Sequence, residues 1–530
     1  MANFDNINPP STIQTNSTIV LCTLNAKYIH ASLGLRYLFA NMGDLQPQTR
    51  ICEYMINRKS PQEWANELIA MNPRIIGFGV YIWNTVQTCE LVKLLKQLRP
   101  DITIVLGGPE VSHEVMEQDI AQQSDFIITG WGDISFPKLC HAILHGPKPL
   151  MKVLAGEQPP LDDIQLPYAY YTDEDLAHRL LYVEASRGCP FKCEFCISSL
   201  DKTAWAFDLD LFLKELDVLY QRGARNFKFV DRTFNLKIDA SVRIMKFFLD
   251  RMTDDLFLHF EVIPDHLPDR LKEMIAKFPP GSLQFEVGIQ TFNVDVQKRI
   301  SRKQDNDKTI TNLKWLLNVS NAHLHTDLIF GLPGESMQSF ADGFDKLYAL
   351  EPHEIQLGIL KRLRGTPIAK HTEAHGMVYD PLPPYQVRQT AAVNEADMTR
   401  FAHMARYWDL VANSGRFNAT MPMLMQAVSP FSAFMTFSDW LWEQAPQISG
   451  RTNAITPEQL VNALHDYLTH QRKLDEHQVT QALLLDYLAS GARARPEALR
   501  HLMPKFPAPI AKPNRQHGQR QAQHQSSQRP

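Results

Sequence analysis

Apolar positions along the chain fall into three successive regimes. From residue 17, short apolar runs alternate with amphipathic stretches. The runs at 17–24, 74–83, 102–111 and 125–133 have strand length, while 33–42 and 89–100 repeat apolar residues at helical spacing. Strands separated by helices predict a parallel, doubly wound sheet that binds ligands at the carboxyl ends of its strands. Residues 145–176 are dense in Pro, Gly and Asp and read as a linker. A second β/α series follows, with strands at 180–186, 226–231, 256–263, 282–290, 325–332 and 354–363. Six β/α units predict a partial or full β/α barrel. After 381–384 (PLPP) strand-like runs stop, and 387–415, 422–444, 457–471 and 475–489 read as helices. The tail 504–530 is acid-free and rich in Gln, Pro and His, so it reads as disordered.

The predicted fold class is α/β: an N-terminal flavodoxin-like or Rossmann-like parallel sheet, a central partial (β/α)6 barrel and a C-terminal all-α domain. The segments are a flexible 1–16, an α/β domain at 17–144, a linker at 145–176, the barrel at 177–375, the helical domain at 376–500 and a tail at 501–530. Hydrophobic residues at 44% and charged residues at 21% are globular proportions, which excludes collagen and coiled coil for the bulk. Lys+Arg at 54 against Asp+Glu at 58 gives a net charge of −4, which makes no case for a nucleic-acid partner. No apolar run approaches the ~20 residues that span a bilayer. The first residues lack both a basic start and an apolar core. These features predict a soluble, cytoplasmic chain with no membrane partner.

Cysteine usage changes the picture. The seven cysteines stand at 22, 52, 89, 140, 189, 193 and 196. An odd number without a leader argues against a disulfide framework. Cys189, Cys193 and Cys196 cluster in GCPFKCEFC, at the carboxyl end of the first barrel strand, where barrel chemistry sits. Closed zinc sites take four ligands, and the nearest histidine in sequence is His178, ahead of the strand. A zinc site completed from afar, or unrelated buried thiols, stays open as an alternative. A [4Fe–4S] cluster normally takes four thiolates, so three leave one iron open to a substrate or cosubstrate.

CxxxCxxC after the first strand of a β/α barrel resembles the radical S-adenosylmethionine (SAM) superfamily. The resemblance implies that the open iron chelates the amino and carboxylate groups of SAM. One electron from the cluster then cleaves the sulfonium to give a 5′-deoxyadenosyl radical. Across roughly 180–370 the text is similar to the branch holding the oxygen-independent coproporphyrinogen oxidases and the methylthiotransferases. That resemblance implies SAM contacts from Asp231 in VDR, Glu261 in FEVIPDHL, Gln290 in VGIQTFN, Arg302 twelve residues on, and Asp327 in DLIFGLPGE. Arg302 would pair the SAM carboxylate as a planar fork. Phe195, between the last two cysteines, would pack on the adenine.

Glycine turns end successive strands of the first domain in GFGVYIW, VLGGPEV and TGWGDISF. None matches GxGxxG, so a dinucleotide site is poorly supported. A flavodoxin-like domain with such turns ahead of a radical SAM core resembles the cobalamin-binding domain of cobalamin-dependent radical SAM proteins. It implies that Gly107, Gly108, Gly130 and Gly132 let the backbone approach cobalamin. The loop after the first strand, NAKYIHASLG, departs from DxHxxG: no Asp stands two residues before His30. Members lacking that motif bind cobalamin without a histidine ligand. His30 is thus a candidate axial ligand against a default of capping or loop packing, and a degenerate domain that no longer binds cobalamin is the other alternative.

The helical domain resembles a C-terminal domain of uncharacterised function found in a subset of these proteins. Its NSGRF turn (413–417) is expected near the barrel mouth. The resemblance implies a [4Fe–4S] cluster, SAM and cobalamin as cofactors, a small-molecule substrate, and an electron donor such as flavodoxin or ferredoxin. The implied reaction is radical methyl transfer. Its alternatives are a rearrangement, a sulfur insertion, a 3-amino-3-carboxypropyl transfer, or a non-catalytic cobalamin- or cluster-binding accessory role.

Overall fold

The computed structural model describes residues 17–427, 429–449, 455–492 and 494–502. The expectations for 1–16 and for the tail from 503 lie outside these residues.

Six parallel strands form the first sheet: β1 (Ile19–Asn25), β2 (Thr49–Met55), β3 (Ile75–Gly79), β4 (Thr103–Gly107), β5 (Phe126–Thr129) and β6 (Val153–Ala155), in the order β2-β1-β3-β4-β5-β6. Helices cover both faces. Val20, Cys22 and Leu24 pack with Trp64, Leu68 and Leu91 on one side, and Ile19 and Leu21 with Leu35, Phe136 and Leu139 on the other. A strand buried on both faces needs no alternation, which is why β1 reads as one continuous apolar run. Strand order reverses between β1 and β3, the crevice where ligands sit on such sheets.

Two strands were not expected. β2 is an edge strand whose Arg50 and Glu53 interrupt its apolar text. β6 comes from the stretch read as a linker, which also folds a capped helix at Asp173–His178. That stretch is therefore part of the fold rather than a spacer.

The second sheet contains β7 (Leu181–Val183), β8 (Asn226–Phe229), β9 (Phe257–Val262), β10 (Leu283–Gln290), β11 (His323–Phe330) and β12 (Glu354–Ile359). All neighbours are parallel and spatial order follows chain order. β7 and β12 do not pair, so the barrel is partial. Phe227, Phe229, Phe260 and Phe285 face outward into a core shared with Phe212 and Phe248. The alternate positions carry Lys228, His259, Glu286 and His325. Glu286 accepts from His259 Nε2 at 3.0 Å and pairs with Lys228 at 3.3 Å, so a charged network occupies the concave side.

The C-terminal region opens with a short antiparallel ribbon, Val378–Tyr379 against Val387–Gln389, where only helix was expected. Helices Glu395–Val411, Pro430–Ser449, Pro457–Asp466 and Glu476–Ala489 follow. Trp408 Nε1 donates to Ile355 O at 2.8 Å, and Asn413 bonds both backbone groups of Ile355 at 3.0 Å. Ile355 lies at the start of β12. The NSGRF turn therefore sits at the opposite end from the strand carboxyl ends, and its expected place at the mouth is wrong. Among the described residues no helix is long and apolar enough to cross a membrane.

Candidate active site

The cysteine loop is held in shape from outside. Cys189 N donates to Asp201 O at 2.8 Å, and Ser199 Oγ donates to Cys193 O at 3.0 Å and Cys196 O at 2.7 Å. Glu194 turns away from its flanking cysteine and is buried. Its carboxylate accepts from Ser301 Oγ, Lys370 Nζ and His371 Nε2, each at 2.6 Å. Burial pushes the Glu194 carboxyl up, but these three donors together hold it below the usual range. Its backbone adds two bonds, to Ile300 O and from Ile368 N. Burial raises the thiols of Cys189 and Cys193. Among the described residues no three His, Cys, Asp or Glu side chains converge on one ion-sized point. A zinc site needs that convergence; a cluster, whose thiolates each bind a different iron, does not.

A cavity of about 240 Å³ brings Cys189, Cys193 and Cys196 together with Phe195, Glu261, Gln290, Arg302 and Asp327. Arg302 Nη1 lies 3.8 Å from Cys193 Sγ, its Nη2 donates to Gly288 O, and Gln304 Oε1 accepts from its Nε at 3.0 Å. Gln290 occupies the left-handed region at φ +67°, where the β10–β11 register slips between Gly288 and Gln290. A bulge of this kind re-aims a side chain. A Cβ on Gly288 would lie 2.4 Å from Gln290 Nε2, so the glycine makes room for the amide. Gln290 Oε1 is buried without a partner, an acceptor left for something that enters the cavity. Glu261 pairs with Arg232 at 2.6 Å, and Asp327 lies 3.4 Å from His325 Nε2. Burial raises both carboxyls, against the pull of Arg232 on one and of His325 on the other. Arg232, the neighbour of Asp231 in the VDR turn, and Glu286, which no local motif marks, line the same cavity.

Asp231 does not join this group. Its buried carboxylate accepts from Ala185 N at 3.0 Å and Ser186 Oγ at 2.6 Å, and burial pushes it up to about 7. It braces the chain leading into the cysteine loop.

A second cavity, of about 310 Å³, lies at the carboxyl ends of β1, β3, β4 and β5. Gly107, Gly108, Gly130 and Gly132 all line it, with Tyr37, Tyr81 and Trp131, and the barrel contributes Glu184 and Arg187. Gly108 has φ +104°, and a Cβ there would lie 2.6 Å from Val80 O. A Cβ on Gly130 would meet no atom within 4 Å, so backbone there faces open space. Exposed backbone around an aromatic-lined hollow suits a large flat group. His30 is not among the lining residues. Its Nδ1 lies 2.7 Å from Tyr182 Oη, and its backbone bridges Leu180 on the free edge of β7. The loop is drawn onto the barrel edge, and the axial-ligand expectation fails in this geometry.

Chain and side chains join the two cavities. Arg187 lines the glycine cavity, bonds Asp133 at 2.8 and 3.1 Å and Glu184 at 2.8 Å, and stacks over Tyr37 and Trp131. Cys189 follows two residues later. Trp131 Nε1 donates to Asp201 Oδ2 at 2.8 Å, and the backbone oxygen of Asp201 holds Cys189 N.

Three family models match: the B12 binding domain over residues 19–140, the radical SAM superfamily over 183–347, and a protein of unknown function (DUF4080) over 373–527. Among curated relatives, the cobalamin-dependent radical SAM methyltransferase TokK of Streptomyces tokunonensis is 24% identical over 337 residues, covering 56% of this chain and 48% of TokK. The 2-(S-pantetheinyl)-carbapenam-3-carboxylate methyltransferase of Streptantibioticus cattleyicolor is 24% identical over 314 residues, covering 53% of this chain and 46% of that enzyme. The chain thus spans about half the length of these relatives. The radical SAM methyltransferase TsrM from Kitasatospora setae, solved with cobalamin and a [4Fe–4S] cluster, aligns with TM-score 0.57 at 13% identity over 89% of this chain and 100% of TsrM. That likeness shows a shared fold. The cysteine loop and the glycine cavity fall inside the matched segments, so the chain carries a B12-binding domain ahead of a radical SAM core, the domain order of cobalamin-dependent radical SAM proteins, and its cofactors are a [4Fe–4S] cluster, SAM and cobalamin.

Proposed function

We propose that this chain is a methyltransferase that modifies a small molecule at an unactivated carbon or at phosphorus. The observation that carries the reading is the join between the two cavities: Arg187 lines one and Cys189 the other, two residues apart. The methyltransferase names of TokK and of the carbapenam enzyme support it. When bound, the cluster supplies the electron that breaks the SAM sulfonium, and cobalamin serves as methyl carrier.

The chain's own residues do the positioning. Cys189, Cys193 and Cys196 ligate the cluster. Arg302 pairs the SAM carboxylate from beside Cys193, and the free Gln290 Oε1 with Glu261 and Asp327 accepts from the ammonium and ribose hydroxyls. Phe195 packs on the adenine. Gly107, Gly108, Gly130 and Gly132 bring backbone against cobalamin. Flavodoxin or ferredoxin delivers the electron.

The test uses anaerobically reconstituted protein, SAM labelled in its methyl group, and titanium(III) citrate. Label recovered in the cobalamin fraction, together with 5′-deoxyadenosine, is the expected result. 5′-Deoxyadenosine with no label on cobalamin overturns the methyl-transfer reading.

A further inference from the structure

A third cavity, of about 710 Å³, opens beside the cysteine cavity and shares Phe195, Gln290 and Asp327 with it. One wall is the ends of β11 and β12 with Lys361 beyond. The other is the helical domain, through His403, Arg406 and Trp442. This cavity is the largest of the three, and it reaches the residues assigned to SAM without passing through the cobalamin cradle.

Its lining has a defined chemistry. The His403 and Trp442 rings stack with centroids 3.3 Å apart and planes within 11°. Burial lowers the His403 pKa against the pull of Asp439, with Arg406 adding to the lowering, so the stacked pair offers a flat aromatic wall. Lys361 and Arg406 are exposed cations at the rim. Lys361 has no ion-pair partner among the described residues. The acid of the lining, Asp327, sits at the far, shared wall beside His325. The amides of Gln356 and Gln386 supply neutral polar contacts. A chain with net charge −4 thus presents a cationic rim and an aromatic wall at a cavity that reaches Phe195 and Gln290.

We propose that this cavity is the substrate site, and that the substrate is a planar or ring-containing molecule bearing a carboxylate or phosphate. The ring lies against Trp442, the anionic group meets Lys361 and Arg406, and the reacting atom points toward Phe195 and Gln290. Aromatic faces bind flat ligands sequence-tolerantly through area and polarisability, and Lys and Arg heads bind oxyanions through charge-assisted hydrogen bonds. The helical domain, which matches a family of unknown function, is then the domain that selects the substrate. This inference rests on the radical SAM reading for its chemistry but not for its binding.

The test therefore measures binding alone. The probes are 1-anilinonaphthalene-8-sulfonate and its uncharged analogue N-phenyl-1-naphthylamine, titrated by fluorescence into anaerobically reconstituted holoprotein. The sulfonate is expected to bind at least tenfold more tightly than the neutral probe. Lys361→Glu should erase that preference, weakening the sulfonate about tenfold and the neutral probe less than twofold, and Arg406→Glu should act in the same direction. Trp442→Ala should weaken both probes. Both rim substitutions are at exposed positions, and unchanged cluster absorbance and circular dichroism confirm folding. No sulfonate binding, no charge preference, or equal response of both probes to Lys361→Glu overturns the proposal. 5′-Deoxyadenosine release by the unaltered protein is measured on the same preparation. Its absence with charge-selective binding intact fells the functional reading and leaves the site standing; the reverse result does the opposite.

Discussion

Gly288→Ala separates a structural glycine from a functional one. The added Cβ would sit 2.4 Å from Gln290 Nε2, whereas ordinary contact begins near 3.4 Å. The amide must therefore retreat by about 1 Å, and only the end of a flexible side chain has to move, since the next atoms, Gln290 Cδ and Arg302 Nη2, lie at 3.6 and 4.0 Å. Replacing a strand glycine by alanine also restrains the unfolded chain, worth roughly 0.5–1 kcal/mol in favour of the fold. Stability should hardly change. SAM affinity should fall, because Gln290 Oε1 no longer points where a ligand ammonium or hydroxyl expects it. A lost hydrogen bond to a charged partner costs about 1.5–3 kcal/mol, and each ~1.4 kcal/mol is tenfold, so the dissociation constant should rise roughly ten- to hundredfold.

The assay is isothermal titration of SAM into anaerobically reconstituted protein, with iron content and melting temperature recorded on each sample. Gln290→Ala should show a loss of the same size, and the double variant should lose no more than either single one, because both act through one amide. Additive losses would mean that Gly288 acts through something other than Gln290. An unchanged dissociation constant in folded, cluster-loaded Gly288→Ala would refute the assignment of Gln290 to SAM.

Glu194→Ala removes three donors' common acceptor and leaves the cysteine loop unanchored. Breaking a buried pair costs about 3–5 kcal/mol, less here because Lys370 is half exposed, so the variant should lose iron to a chelator several-fold faster; equal rates would sink the anchoring role. His30→Ala should leave the visible spectrum of bound cobalamin unchanged, since the ring engages Tyr182, and a shifted spectrum would restore it as a ligand. Glu335 is buried, and burial pushes its carboxyl up from 4.5 to about 7. The folded chain then keeps a proton that the unfolded chain releases between those values, so stability falls as pH rises from about 4.5 to about 7 and stays lowered above. Glu335→Gln should match the parent at pH 5 and exceed it at pH 8 by up to ~3 kcal/mol in denaturant unfolding, and parallel pH profiles would refute the burial argument.

What could be read from the sequence was what local text encodes. The three cysteines occupy one loop, so their spacing alone fixes that they act together. The barrel strands each carry an apolar outward face, so five-residue windows reveal them. Glu261, Gln290 and Asp327 lie on neighbouring strands and meet because sheet order follows chain order. Asp231 also ends a strand, yet its carboxylate turned toward Ala185 and Ser186, a choice made by the fold and invisible in VDR. His30 fails for the same reason, since the partner that captures it, Tyr182, lies in the other domain. Arg187 carries no motif, and Arg232 stands in the VDR turn, where Asp231 was the residue singled out; the roles of both arginines exist only once two elements meet. β2 was missed because an edge strand tolerates the charges that disqualify a buried one.

A barrel of six strands leaves a gap between β12 and β7, and the first domain stands across it. On the β7 side His30 bridges Leu180, and Arg187 holds Asp133. On the β12 side Arg364 meets Glu110 at 3.0 Å, Arg362 meets Glu114 at 3.0 Å, and Tyr385 Oη donates to Glu110 at 2.6 Å. Glu110 follows the Gly107–Gly108 turn by two residues, and Asp133 follows Gly132 directly. The turns that form the glycine cavity are thus the same turns that clamp the two lips of the open barrel. Placing the cradle and closing the gap are one structural act. A substitution at Glu110 or Asp133 should therefore loosen cobalamin and admit water to the barrel together, whereas a complementary but separable interface would let the two effects part.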